Sequence, residues 1–181
     1  VHVLGERLGT TEVHALRRRL GVVDPKLYRM LDRGVTAEGL VATGLFGHLT
    51  TFFDPPSEAQ LELARHALRE VGLDGHAKQA VETLSSGQLT RTWLARALVH
   101  TPDLLILDEP AADLDLLGRE TLLASLTALG RRRPVLSMLM VSHHLEDLLP
   151  ETDTVLLLGE GRAIASGAPH EVLTETNLSA A

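Results

Sequence analysis

Cysteine is absent from these 181 residues, which excludes a disulfide framework and any thiolate metal site. Aromatic residues supply only 3% of the chain, so a core has to be built from Leu, Val, Ile and Ala. It can be, because 44% of the residues are hydrophobic and the length suits one domain. Long apolar runs are missing as well. The longest, such as Leu104 to Leu107, are strand-sized and far short of the ~20 residues that span a bilayer. No signal peptide is visible, so the expectation is a soluble, cytoplasmic protein. Positive charge is in deficit, with 17 Lys and Arg against 24 Asp and Glu for a net charge of −7. That argues against nucleic acid as the main partner, since phosphate-binding surfaces carry a basic excess. The clusters Arg17-Arg18-Arg19 and Arg131-Arg132-Arg133 read as solvated helix ends.

What is present is an alternation of two periodicities. Arg19 to Val23 reads as the approach to a short buried strand that ends at Asp24-Pro25. Thr36 to about Gly72 is mostly helical in pattern. Within it, Ser57-Glu58-Ala59-Gln60 matches a capping box after Pro55-Pro56, Leu61, Ala64, Leu68 and Val71 share one face, and Gly72 is a stop signal. A second helix begins near Ser86 and runs through Leu98. Short apolar strands at Leu104–Leu107, Met138–Val141 and Thr154–Leu158 then alternate with helices, one of them carrying Leu122, Leu123, Leu126 and Leu129. Gly159-Glu160-Gly161 reads as a tight turn into a hairpin partner, Arg162 to Ser166. This order predicts an α/β fold with a parallel sheet covered by helices on both faces, interrupted by a helical insert. The first eighteen residues contain no strand able to open a doubly wound sheet.

Two blocks carry chemistry. In Leu104-Leu105-Ile106-Leu107-Asp108-Glu109-Pro110, a buried strand brings two carboxylates to its C-terminal tip, where ligands bind in open parallel sheets. Asp108 suits Mg2+, directly or through water, and Glu109 suits polarising a water for attack on a phosphate. A buried strand that merely ends in two loop acids is the plain structural alternative. The second block, Leu84-Ser85-Ser86-Gly87-Gln88, opens a helix with hydroxyls and free backbone N–H groups that fit a phosphate oxygen. Its plain alternative is an ordinary N-cap.

Together these blocks resemble the ABC (ATP-binding cassette) ATPase family over essentially the whole chain. Leu84-Ser85-Ser86-Gly87-Gln88 resembles the signature LSGGQ, with Ser86 replacing the first glycine, and Arg91 and Ala95-Arg96-Ala97-Leu98 resemble the stretch that follows it. Asp108-Glu109 resemble the Walker B aspartate and catalytic glutamate, Ala111-Ala112-Asp113-Leu114-Asp115 the D-loop, and Met140-Val141-Ser142-His143 the switch-histidine segment. The resemblance implies the ABC type of P-loop NTPase core, a mainly parallel sheet flanked by helices. About 33–100 would form a helical subdomain with the signature, and 1–32 and 101–181 the α/β core. It further implies that Asp108 helps hold Mg2+, that Glu109 is the general base, and that His143 contacts the γ-phosphate. Ser85, Ser86, Gly87 and Gln88 would meet ATP held by a second ATPase subunit, and Asp115 would couple the two sites. The implied cofactors are ATP and Mg2+, and a transmembrane transporter subunit is the further partner. No role follows for His144. A non-hydrolysing partner that supplies only its signature, or a soluble ABC ATPase without a transport role, stands as the alternative.

The chain departs from the family pattern in two places. A phosphate loop reads G-x-x-x-x-G-K-[ST], but the only lysines here, Lys26 and Lys78, follow Pro25 and Ala77. The Walker A strand and loop are thus expected to be absent, as in an N-terminally truncated cassette, with an exposed edge at the Met138–Val141 strand and poor stability. The second departure is at Leu20-Gly21-Val22-Val23-Asp24-Pro25, where Pro25 stands in the place of the Q-loop glutamine.

Overall fold

The structure is a computed structural model that describes residues 2–7, 9, 12–24, 34–46 and 55–181. Pro25 and Lys26 lie outside these described residues. The chain divides into two compact units, Val1–Asp147 and Leu148–Ala181.

The first unit opens with a two-residue antiparallel ribbon, β1 (His2–Val3) and β2 (Glu6–Arg7), followed by α1 (Val13–Arg17). The ribbon was not foreseen, being too short to leave an alternating pattern. Neither of its strands joins the main sheet. That sheet consists of β3 (Leu20–Val23), β4 (Leu104–Asp108) and β5 (Ser137–Val141), all parallel, in the order β3-β4-β5. The register sets Gly21 beside Leu105 and Leu105 beside Met138, and Val23 beside Leu107 and Leu107 beside Met140. These residues share one face because side chains alternate along a strand. Leu105, Leu107 and Val23 are fully buried there.

Two helices cover that face. α4 (Ser86–Leu98) lies so close to β3 that a Cβ on Gly21 would sit 2.6 Å from the Ala97 carbonyl oxygen. α5 (Leu116–Arg132) approaches β5 at Gly130, where a Cβ would be 3.1 Å from the Met138 methyl. The opposite face differs from the sequence expectation. Val22, Leu139 and Val141 alternate outward and stay exposed, so among the described residues the sheet is covered on one face only. The apolar pattern of these strands states that both faces avoid water, but it does not supply the layer that would cover the second. Among the described residues β5 is an edge strand of this sheet, as is β3.

Between β3 and β4 the chain forms α2 (Ala37–Phe46), α3 (Glu58–Glu70) and α4, which pack on one another. The α3 start is the expected capping box: the Ser57 N–H donates to Gln60 Oε1 at 2.8 Å and the Gln60 N–H to Ser57 Oγ at 3.4 Å. Gly72, with φ +71°, ends the helix in the left-handed conformation that glycine adopts without strain. Leu40, Leu68, Trp93, Leu94 and Leu98 form the centre of this cluster, all fully buried. Arg65 bridges α3 to the buried Glu38 of α2 at 2.7 Å.

The second unit is a hairpin, β6 (Val155–Gly159) and β7 (Arg162–Gly167), with α6 (Pro169–Val172) packed on it and α7 (Glu175–Ser179) following. Its turn residues Glu160 and Gly161 both have positive φ, 48° and 75°, as a two-residue hairpin loop of right-handed twist requires.

Candidate functional site

The two carboxylates singled out in the sequence stand where the strand leaves the sheet. Asp108 is the last residue of β4 and pairs in register with Val141, the last of β5. The Glu109 N–H donates to the Val141 carbonyl at 3.0 Å, which extends the parallel pairing one step past the strand. Glu109 itself takes φ +46°, a left-handed conformation that costs a non-glycine residue about 1–2 kcal/mol. Such strain gathers at functional positions, because there the side-chain direction matters more than local comfort. The outcome is a carboxylate aimed at the loop after β5. Glu109 Oε1 lies 3.4 Å from His143 Nδ1, and both side chains are about half exposed.

A buried anchor holds the histidine loop. The Asp147 side chain is 4% exposed and receives the Arg119 guanidinium of α5 at 2.7 Å through one oxygen. Its other oxygen accepts the Ser142 hydroxyl. Ser142 Oγ in turn accepts the His144 N–H at 3.0 Å, and the His144 ring lies tilted by 41° to that of His143, with centroids 4.1 Å apart. Glu146 adds a second acid near Arg119, at 3.6 Å. Sequence reasoning missed Arg119 and Asp147. Neither sits in a local pattern, and their pairing crosses 28 positions of chain.

The second group lies at two helix starts. Ser85 is the N-cap of α4, with Ser85 Oγ accepting the Gln88 N–H at 3.2 Å and Gln88 Oε1 accepting the Ser85 N–H at 2.9 Å. The capping function and the motif therefore occupy the same side chains. Ser86 is exposed, whereas Gly87 is buried against α5: a Cβ there would stand 3.3 Å from Gly118 Cα. Asp115 caps α5, its Oδ1 accepting the Gly118 N–H at 2.8 Å. The structure thus brings Glu109 to His143, and Gly87 to the Asp115-capped turn. Among the described residues no hydrogen bond or ion pair joins Ser85, Ser86, Gly87 or Gln88 to Glu109 or His143.

Comparison with known proteins fits this layout. The family model described as ABC transporter matches residues 1–112, a stretch that contains the Ser85–Gln88 turn and the Asp108-Glu109 pair. The chain belongs to the ABC transporter ATP-binding family. Its members are ATPases. An uncharacterised ABC transporter ATP-binding protein of Bacillus subtilis (strain 168), YlmA, is 38% identical over 99% of this chain and 68% of its own length. The ferric enterobactin transport ATP-binding protein FepC of Escherichia coli (strain K12) is 31% identical over 94% of this chain and 61% of its own. Among solved structures, cbiO1 of Clostridium perfringens, part of the ABC transporter complex cbiONQ, superposes with a TM-score of 0.75 at 25% identity. That match covers 97% of this chain and 68% of that one. The chain therefore spans about two thirds of the length of such relatives. Within the ABC family the fold is the expected α/β core with a parallel sheet and flanking helices.

Proposed function

We propose that this chain works as the ATP-hydrolysing subunit of an ABC transporter, with ATP held between two ATPase subunits and a transmembrane subunit driven by the cycle. The observation that carries this reading is the strained Glu109 at the tip of β4, directed at His143. Glu109 orients and deprotonates the attacking water, and His143 donates a hydrogen bond to the γ-phosphate oxygens.

No three His, Asp or Glu side chains converge on one point among the described residues. Mg2+ takes one or two protein carboxylates, which the tip of β4 can supply in part, and completes its octahedron with phosphate oxygens and water. Asp108 is the residue that would hold it, and the bound ion would neutralise charge on the phosphates. Ser85, Ser86, Gly87 and Gln88 face the nucleotide of the partner subunit, and Asp115 couples the two sites. The β- and γ-phosphates need a G-x-x-x-x-G-K-[ST] loop, which is not among these 181 residues. No helix of the described residues is long and apolar enough to cross a membrane. Contact with the bilayer would run through the transmembrane subunit, placing the protein at its inner face with α2 and α3 towards that subunit.

Mg-ATP turnover of the full gene product tests the reading. Glu109→Gln is expected to lower kcat by roughly 10²–10⁴-fold, the contribution of a general base, while nucleotide binding persists. His143→Ala should have a similar effect. Turnover that survives Glu109→Gln within a factor of a few would overturn the assignment.

A further inference from the structure

His76 lies in the turn that follows α3, twelve positions before Gln88, and its ring faces that side chain. The distance from His76 Nε2 to Gln88 Nε2 is 3.0 Å. Two nitrogens at this distance make a hydrogen bond only if one accepts. The orientation of the Gln88 amide is fixed independently, because its oxygen must take the Ser85 N–H in the capping box. Gln88 Nε2 is therefore the donor, and His76 Nε2 must be the unprotonated acceptor. The imidazole is neutral with its proton on Nδ1. That N–H is buried and has no partner among the described residues. A buried unpaired donor is unfavourable. The fold accepts it here, and in exchange the Gln88 side chain is held from both ends.

The surrounding contacts lead to the same turn. The His76 N–H donates to the Leu73 carbonyl at 3.1 Å and its carbonyl accepts the Gln79 N–H at 3.0 Å, so the ring stands on a fixed backbone. Arg91 joins the carbonyls of Val71 and Gly87, each at 3.3 Å, tying the end of α3 to the first turn of α4. Arg91 links backbones, whereas His76 reaches the cap itself.

We propose that His76 is a positioning residue for the Ser85–Gln88 turn: by accepting from the Gln88 amide, it locks the side chain that caps the start of α4. The structural part stands on the geometry alone. Its consequence for nucleotide handling rests on the proposed function of that turn.

The test uses the full chain and two variants. His76→Phe keeps a planar ring without an acceptor, and His76→Gln can restore an acceptor oxygen near the position of Nε2. Ring-nitrogen NMR is expected to show an unprotonated Nε2 and a protonated Nδ1 at neutral pH. Amide hydrogen exchange at Ser85 is expected to speed up by up to about tenfold in His76→Phe, the scale of one hydrogen bond, with Leu94 in the middle of α4 unchanged. His76→Gln should return Ser85 close to the parent rate. A proton on Nε2, or Ser85 exchange indifferent to His76→Phe, overturns the proposal. In the full gene product His76→Phe should also lower kcat. If Ser85 protection is lost while turnover holds, the positioning stands and the reading of the turn as nucleotide-facing fails.

Discussion

Two glycine-to-alanine substitutions in this protein should have opposite signs. Gly44 lies inside α2 and Gly130 inside α5, and in an unobstructed helix interior each replacement gains about 1 kcal/mol from propensity. At Gly44 the new Cβ would be driven into the Arg96 carbonyl oxygen and would stand 2.8 Å from Val99 Cγ1. The first obstacle is backbone of α4, so relief requires the two helices to separate. Overpacking of this kind costs about 1–3 kcal/mol, and with a main-chain atom in the way the upper half applies. The net expectation is a loss of about 1–2 kcal/mol. At Gly130 the nearest atom is the Met138 methyl at 3.1 Å, the free end of a flexible side chain that can turn aside. Gly130→Ala is therefore expected to be neutral or to gain up to about 1 kcal/mol. Urea unfolding followed by fluorescence of the single tryptophan, Trp93, fully buried on α4, reads both. With a slope of about 2 kcal/mol/M, Gly44→Ala should lower the midpoint by about 0.5–1 M. Equal stabilisation by both variants would refute the reasoning, because it would mean that α2 and α4 do not meet as closely as Gly44 implies.

Asp147→Ala leaves the Arg119 guanidinium without its buried partner and frees the Ser142 hydroxyl. We expect a loss of about 2–4 kcal/mol in the same unfolding assay, the range for breaking a largely buried ion pair, and Asp147→Glu should recover little of it. His100 sits under burial that holds its pKa below the ordinary histidine value; the hydrogen bond to the Leu20 carbonyl opposes this, and the positive charge of Arg96 adds to it. Since the folded state resists the proton, stability is unaffected well above pH 6.5 and falls as the pH drops below it, where the unfolded chain protonates first. Measured against pH, His100→Gln should flatten that slope while keeping a donor for Leu20. Glu109→Gly should stabilise the fold by about 1 kcal/mol in the same assay, as the left-handed backbone relaxes, and should abolish turnover.

Local signals carried much of this structure. Ser57 with Gln60, and Ser85 at the start of α4, are spaced so that a side chain answers the amides of its own first turn, and such contacts can be read without knowing the fold. The strand Leu104–Leu107 with acids at its tip is equally local. What escaped depends on residues far apart in sequence. Asp147 looks like one more surface acid until α5 delivers Arg119 to it, and His76 looks like a loop histidine until Gln88 arrives. The φ of Glu109 gave no warning either, because an unfavourable backbone angle at a non-glycine residue leaves no compositional mark. The bare face of the sheet has a different origin: an apolar residue declares that it avoids water, not that a neighbour is present to cover it.

The Arg119–Asp147–Ser142 chain has a mechanical consequence. Arg119 is one turn into α5, immediately after the Asp115 cap and the Gly118 contact with Gly87, while Ser142 is the residue next to His143. Two hydrogen bonds through one buried carboxylate tie these elements, so a tilt of the α5 start would be passed to the histidine loop as displacement. The start of α5 and the histidine loop are then one piece of linkage. A push on the Gly87–Gly118 joint arrives at His143 without any intervening element having to unfold.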